Sequence, residues 1–520
     1  LSAVSSWMVR RNPISKQIES RAVIDIETHR RIPRCMSTQH PDNVTVPFFA
    51  QGPVMEGMDE IREAYYAFSH LGCDEQMWDF EGKEVDEFVV EKLLTTYEGF
   101  FRAFPLGREM FLTLRVPNPA VEKSQGKILL EVLQGIPRAY DVARLFYGED
   151  VAPIFEIIFP MTTSAEELNR VLRYYQVFVT GKEETVLTPG DIALKEWIGE
   201  FHPTTIQIIP LIEDKESLLR ADAIVRAYLQ GKDLSYQRVF LARSDPALNY
   251  GSLAASLLVK VALSRLERLE QELGIPIYPI LGAGSAPFRG NFRPDTVERH
   301  LAEHPSVQTF TIQSAFKYDH PAPAIIQAIE TLKNAPRRSA RPIEPEGKIL
   351  DLIERISACY QRQVRVIAPL LNNVAPAVPR RRMRKLHIGL FGYSRNIGEI
   401  SLPRAISFCA ALYSLGLPPE ILGLSCLDQE DLALLREVDP GFEADLGDVL
   451  QYLNEEAYTL LPPAEAEEIR RTIRLLCSTP SPNHAHREIT ATIIRRVRDG
   501  NVKDLGDLIL RAAWIRKFLG

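Results

Sequence analysis

The chain has too few cysteines, too widely scattered, to be built on them. Six thiols (Cys35, Cys73, Cys359, Cys409, Cys426 and Cys477) occur in 520 residues, with no Cys-x-x-Cys pair and no paired Cys/His spacing. That pattern excludes a disulfide framework and gives no zinc-finger signature, so reduced thiols are expected. An excess of positive charge is lacking as well: 61 Lys and Arg stand against 68 Asp and Glu, a net charge of −7. A broad nucleic-acid-binding face is therefore not expected, although a single basic pocket is compatible with the count. No apolar run approaches the roughly 20 residues of a membrane span, and internal repeats and low-complexity tracts are missing. Hydrophobic residues at 45% and charged residues at 25% are ordinary for a globular chain, which sets aside disordered and fibrous classes.

What the chain does have is alternation. Short β-favouring runs recur at 76–80, 111–116, 154–159, 206–212, 238–242, 277–281, 308–312 and 386–391, most separated by enough residues for a crossover helix. That is the mark of parallel βαβ units, and eight of them predict an α/β fold closed as a TIM-type (β/α)8 barrel. Helices are expected over 348–371 and 405–415, the latter stopped by Gly416 and the Pro418-Pro419 pair. The reading divides the chain into an N-terminal extension (1–33), a catalytic barrel with inserted helices (34–424) and a helical region packed on it (425–520). The extension joins Arg10, Arg11, Lys16 and Arg21 to several serines, faintly resembling a transit peptide, but Glu19, Asp25 and Glu27 and the lack of an apolar core favour an extension of unknown role.

Barrel enzymes carry their chemistry where strands end. Here those ends read Asp79 with Glu81 and Lys83, then Arg115, Glu213 with Asp214, Arg243 with Asp245, a glycine-rich loop, Gln313 with Lys317, and Ser394 with Arg395. Asp79 and Asp214 also suit caps of the helices that follow. Glu213 and Asp245 close consecutive runs, so a barrel makes them neighbours, and magnesium commonly takes one or two carboxylates and leaves its other positions to water and substrate. The loop holding Gly282, Gly284, Arg289 and Gly290 joins small residues to a planar, permanently charged donor suited to anions. His40 precedes Pro41 and is thereby biased out of helix, into a loop. Glu156 interrupts an apolar run and needs a partner, on which ground it reads as support for the site. The run Arg380, Arg381, Arg382, Arg384, Lys385 fits an anion patch and equally a solvated face.

Several blocks carry a resemblance. Thr38-Gln-His-Pro-Asp-Asn43, Asp79-Phe-Glu-Gly-Lys83, Leu114-Arg-Val-Pro-Asn118, Ile209-Pro-Leu-Ile-Glu213, Ala242-Arg-Ser-Asp245, the 280–290 loop, Phe316-Lys-Tyr-Asp-His320 and Leu402-Pro-Arg-Ala-Ile-Ser-Phe408 occur in order after residue 33. Together the set resembles the short, archaeal-type branch of the phosphoenolpyruvate carboxylases. The resemblance implies a cytoplasmic homotetramer that uses magnesium, with manganese as a substitute, to join bicarbonate to phosphoenolpyruvate, giving oxaloacetate and phosphate through carboxyphosphate and an enolate held by the metal. It implies no nucleic-acid or membrane partner. Carried over residue by residue, it gives His40 and Arg289 catalytic roles, phosphate binding to the loop of Gly282, Gly284 and Gly290, and the metal to Glu213 and Asp245. From their places at strand ends, Arg115 is expected to join the catalytic group and Arg243 and Arg395 to bind substrate, while Lys83 fits substrate contact and equally neutralisation by Asp79 or Glu81. The longer branch has His and Arg where this chain has Leu281 and Ala283, so Arg115, Arg243 and Arg395 are the candidates to replace that charge. A terminal glycine, here Gly520, is also a family trait and implies a chain end near the active site. The competing readings are another magnesium-dependent pyruvate or enolate barrel (kinase-like, or a keto-acid aldolase) and a non-catalytic metabolite sensor on the same scaffold. Neither of them calls for the His40 block.

Overall fold

A computed structural model describes residues 31–123, 126–384, 396–397, 400–476 and 481–520. The chain divides into residues 1–31 and Ile32–Gly520, and the architecture is that of the second unit. Eight parallel strands close a barrel in sequence order: β1 (Cys35–Ser37), β2 (Glu75–Asp79), β3 (Phe111–Arg115), β4 (Glu156–Phe159), β5 (Gln207–Ile212), β6 (Gln237–Ala242), β7 (Ile277–Gly282) and β8 (Thr309–Ile312). The seam is the pairing of β1 with both β2 and β8, with Met36 opposite Glu75 on one side and Thr311 on the other. Seven of the expected runs are therefore strands, within two residues at either end. The eighth, at 386–391, lies outside the described residues, and the barrel closes without it. Its place is taken by Cys-Met-Ser at 35–37, three residues too short to register as a β-favouring run.

Each strand leads to a helix on the outer ring. These are α1 (Met58–Ser69), α2 (Val89–Thr96), α3 (Gly126–Tyr147), α4 (Ala165–Tyr174), α5 (Ala221–Leu229), α6 (Ser252–Leu273), α7 (Val297–Glu303) and α8 (Ala322–Asn334). Local chemistry sets their ends. At α4, Glu167 reaches back to accept from the Ser164 N–H (3.2 Å), and α6 stops where Gly274 turns left-handed (φ +67°), a conformation costly for other residues. Beyond the ring lie α9 (Glu346–Val374), α10 (Ala405–Ser414), α11 (Phe442–Leu450), α12 (His484–Arg498) and α13 (Gly506–Arg516). The largely buried α6 is sandwiched between the barrel and α9, which is why its sequence is apolar around most of its circumference.

Inside the barrel, Met36, Met77, Ile158, Ile209, Leu211, Phe240, Ala242 and Ile280 form a small apolar cluster. Beneath it, at the N-terminal ends of the strands, is an ion group. Arg238 donates to Glu75 at 2.7 and 2.8 Å, to Glu156 at 2.8 Å and to Thr309 at 3.2 Å, with every member buried. The two carboxylates more than offset burial and pull the Arg238 pKa upward. Glu156 does find the partner it requires, but at the barrel floor. The expectation that it supports the catalytic site is corrected, because it is the first residue of β4 rather than one near its end.

Candidate active site

At the opposite end of the barrel, the strand termini and the start of α10 enclose a cleft lined by His40, Glu81, Lys83, Arg115, Glu213, Asp245, Gly282, Arg289, Gln313, Arg384 and Arg404, among others. The cleft holds about 820 Å³, counting its open mouth. Its acidic part comes from β2, β5 and β6. Glu213 follows β5 directly, and its Oε2 accepts from the Met161 N–H at 2.8 Å. Met161 holds a left-handed φ of +52°, an uncommon conformation for a non-glycine residue that aims this donor at the carboxylate. Burial, with Glu81 and Asp245 close by, pushes the Glu213 carboxyl well above its ordinary range, and Arg115 offsets only part of this. A buried carboxylate beside two half-buried ones that repel it makes a site complementary to a hard cation, and the donors are all oxygens, as magnesium or manganese prefers.

The basic part is denser than the sequence suggested. Arg115 grips Asp79 with two parallel bonds (2.7 and 2.6 Å) and reaches Glu81 at 3.0 Å, while Lys83 also pairs with buried Asp79. Asp79 is thus an anchor for two cations rather than a helix cap, whereas Asp214 does cap the next helix, accepting from the Ser217 N–H at 2.8 Å. Arg404, at the N-terminus of α10, faces Glu81 and Asp245, and its Nε has no hydrogen-bond partner. Sequence reasoning passed over Arg404, which stood inside the Leu402–Phe408 block, and offered Arg384 only as one member of an arginine run that the fold divides. Arg382 pairs with Glu60 and Glu63, Arg381 donates to the Asn43 and Val44 carbonyls, and Arg384 lines the cleft, while Lys385 lies outside the described residues. Arg243 borders the cleft, but its charge faces Asp439, Asp445 and Glu303 on the far side. Arg395 lies outside the described residues.

The glycine-rich loop is packed around its own arginine. Arg289 Nη1 donates to Asp42 (3.1 Å) and to the Gly520 carbonyl (2.9 Å), Nη2 to Gln313 (2.5 Å) and Nε to Ser244 (3.0 Å), leaving one Nη2 hydrogen for an anion. A Cβ on Gly284 would fall 2.9 Å from the guanidinium carbon and from Gln313 Oε1, and one on Gly290 (φ +124°) would fall 2.9 Å from Ala283. Gly284 thus makes room for Arg289, and Gly290 for the close approach of Ala283. His40, partly exposed at the rim, bonds Thr38 Oγ1 through Nδ1 at 2.9 Å. Burial and the facing charges of Lys83, Arg115, Arg289 and Arg382 hold its pKa well below the usual histidine value, so it is neutral across the physiological range rather than poised at its midpoint. Lys317, expected near the site, is consumed by Glu63 (2.8 Å), Ser37 and Thr38.

Residues 32–520, nearly the whole described chain, match the family model described as phosphoenolpyruvate carboxylase. The chain belongs to the phosphoenolpyruvate carboxylase family. Relatives named phosphoenolpyruvate carboxylase include those of Methanothermobacter thermautotrophicus (54% identical over 490 residues, 94% of this chain and all of the relative) and Pyrococcus abyssi (54% over 423 residues, 81% and 89%). That of Halobacterium salinarum is 49% identical over 494 residues, covering 94% of this chain and 99% of the relative. In a phosphoenolpyruvate carboxylase, a cleft with an acidic wall and a basic wall suits a divalent cation beside a multiply charged phosphate ester.

Proposed function

We propose that this chain joins bicarbonate to phosphoenolpyruvate at the C-terminal mouth of the barrel, producing oxaloacetate and phosphate. The observation that carries the reading is the gathering of Glu81, Glu213 and Asp245 opposite Arg115, Arg289 and Arg404, with neutral His40 at the rim. Glu213 and Asp245, with Glu81 beside them, would hold magnesium or manganese. When bound, the cation supplies charge neutralisation for enolate and phosphoryl oxygens.

Arg115 and Arg404 orient the phosphate and carboxylate of phosphoenolpyruvate, and Arg289 takes an oxygen of the group in transfer with its remaining Nη2 hydrogen. Bicarbonate attacks phosphorus, which gives carboxyphosphate and the enolate. Substrate anions offset the cations around His40 and raise its pKa toward neutrality. Its Nδ1 is tied to Thr38, which leaves Nε2 to take the carboxyphosphate proton, so that carbon dioxide is released beside the enolate carbon. The walls of the cleft keep that gas and the enolate together and limit entry of water. The kinase-like, aldolase and sensor alternatives lose their ground with family membership. The reading extends to a cytoplasmic homotetramer, and the exposed Phe178, Leu187, Ile192 and Trp197 offer apolar surface for assembly, which light scattering tests.

The experiment is His40→Asn with phosphate and oxaloacetate assayed in parallel. Bicarbonate-dependent phosphate release should continue, accompanied by pyruvate, while oxaloacetate falls to little or none. Equal loss of both products, in a variant folded by circular dichroism, would remove His40 from the second half of the reaction.

A further inference from the structure

Across α7 from the active-site cleft lies a second group of ligating side chains that the carboxylation reaction does not use. His300, Glu303 and His304 stand in a His-x-x-Glu-His sequence, and the four-residue spacing puts both imidazoles on one face of the helix end. One ligand atom from each of the three lies within 4.8 Å of the other two, and they are the trio of this kind among the described residues. All three are buried, at 2%, 8% and 1% exposure.

A further observation points to a ligand, a set of polar atoms without partners. Both ring nitrogens of His304, Nδ1 of His300 and Oε1 of Glu303 make no hydrogen bond, although buried polar atoms are nearly always satisfied. Only Nε2 of His300 is engaged, at 3.1 Å from the Asn291 carbonyl. A carbonyl on one ring nitrogen fixes the tautomer and frees the other nitrogen's lone pair, the usual arrangement behind a metal-bound histidine. The carboxylate is packed closely against the main chain: a Cβ on Gly441 would fall 1.7 Å from Glu303 Oε1, so any larger residue at 441 would displace the group.

Charge around the trio is balanced. Lys260 pairs with Asp439 at 3.0 Å, Arg299 with Asp445 at 2.8 Å and Asp448 at 3.1 Å, and Arg243 faces Asp439, Asp445 and Glu303. Burial keeps both histidines uncharged, with His300 lowered to about 3, and raises Glu303 to about 7. Neutral imidazoles are ready ligands, and the carboxyl would surrender its proton to a cation.

We propose that His300, Glu303 and His304 form a structural site for a divalent transition metal of the zinc type, separate from the catalytic cation. Two imidazoles and one carboxylate suit zinc far better than magnesium, and Asp439 or Asp445 is at hand for the fourth position. The ion would tie α7 to the stretch around Gly441 before α11. Through the His300–Asn291 contact it would also brace the far end of the glycine-rich loop, two residues beyond Arg289.

The test uses the full chain, stripped of metal with a chelator and held in saturating Mg2+ so that the catalytic carboxylates are occupied. Titration with Co2+ should give one equivalent with visible d–d bands. X-ray absorption of that complex should show two imidazoles, more than the one histidine of the catalytic cleft can provide. His304→Asn and Glu303→Gln should each weaken cobalt binding by more than about a hundredfold, beyond what loss of an outer-shell partner costs, whereas Glu213→Gln should leave it intact. Absence of the bands in the parent protein, a signature of one imidazole or none, or unchanged binding in either folded variant would overturn the proposal and leave a hydrated polar cavity. If one variant fails to fold, the other and the absorption spectrum still decide.

Discussion

Arg289 meets a carboxylate, a main-chain carbonyl, an amide oxygen and a hydroxyl at once, so its geometry matters as much as its charge. Lysine has three donors on a flexible stem and cannot replace a planar fork. Arg289→Lys should therefore lower kcat about a hundredfold or more with the fold retained, which steady-state kinetics and circular dichroism would check. Glu420 gives a pH prediction. Its buried carboxyl accepts from Tyr413 Oη at 2.6 Å, and burial pushes it up to about 7. A carboxyl raised in the folded state contributes its stability below its unfolded pKa near 4.5 and loses it as pH rises through 7. Glu420→Gln mimics the protonated form, so its advantage over the parent should grow as pH rises from about 4.5 to about 7, by about 3 kcal/mol in all, of which about 1.4 kcal/mol falls above pH 6. A flat difference in unfolding free energy over that range would contradict the shift. His40, Glu213 and Asp245 were legible in the sequence because each sits in a dense local block. Arg404 and the paired state of Arg289 were not, because Arg404 faces Glu81 and Asp245 and Arg289 is held in part by Asp42 and Gly520, all more than a hundred positions away.

Among the elements, β7 and its loop combine a legible pattern with an illegible purpose. The glycines were plain in the sequence, yet what needs Gly284 is the Arg289 side chain folded back over it, a contact no periodicity announces. Gly284→Ala should push the guanidinium and Gln313 aside and reduce kcat/KM by roughly tenfold to a hundredfold, with little change in unfolding midpoint. Normal kinetics in that variant would mean that the loop adapts without cost. Seven strands were readable because buried parallel strands are continuous apolar runs. β1 was not, since three residues carry no period and its identity is fixed by pairing with Phe310, Thr311 and Ile312. Which members of the arginine run at 380–384 reach the cleft was not legible, for a related reason. Tertiary partners, chiefly Glu60, Glu63 and main-chain carbonyls, sort its members to different places.

At the level of the whole molecule, the same eight strands carry charge at both ends for different ends. The Arg238–Glu75–Glu156 group at the floor is fully buried and remote from the cleft. Removing the cation alone strands two carboxylates, so Arg238→Met should cost about 3–5 kcal/mol of stability, seen as a lower unfolding midpoint. Specific activity of the protein that remains folded at low temperature should be nearly unchanged. A large drop in that activity would show that floor and mouth are coupled. Because Glu156 and Glu213 sit at opposite ends of neighbouring strands, inheritance can act on them separately. A lineage moving to hotter surroundings has codons at the floor to alter without touching turnover, and one whose substrate supply changes has codons at the mouth to alter without risking the fold.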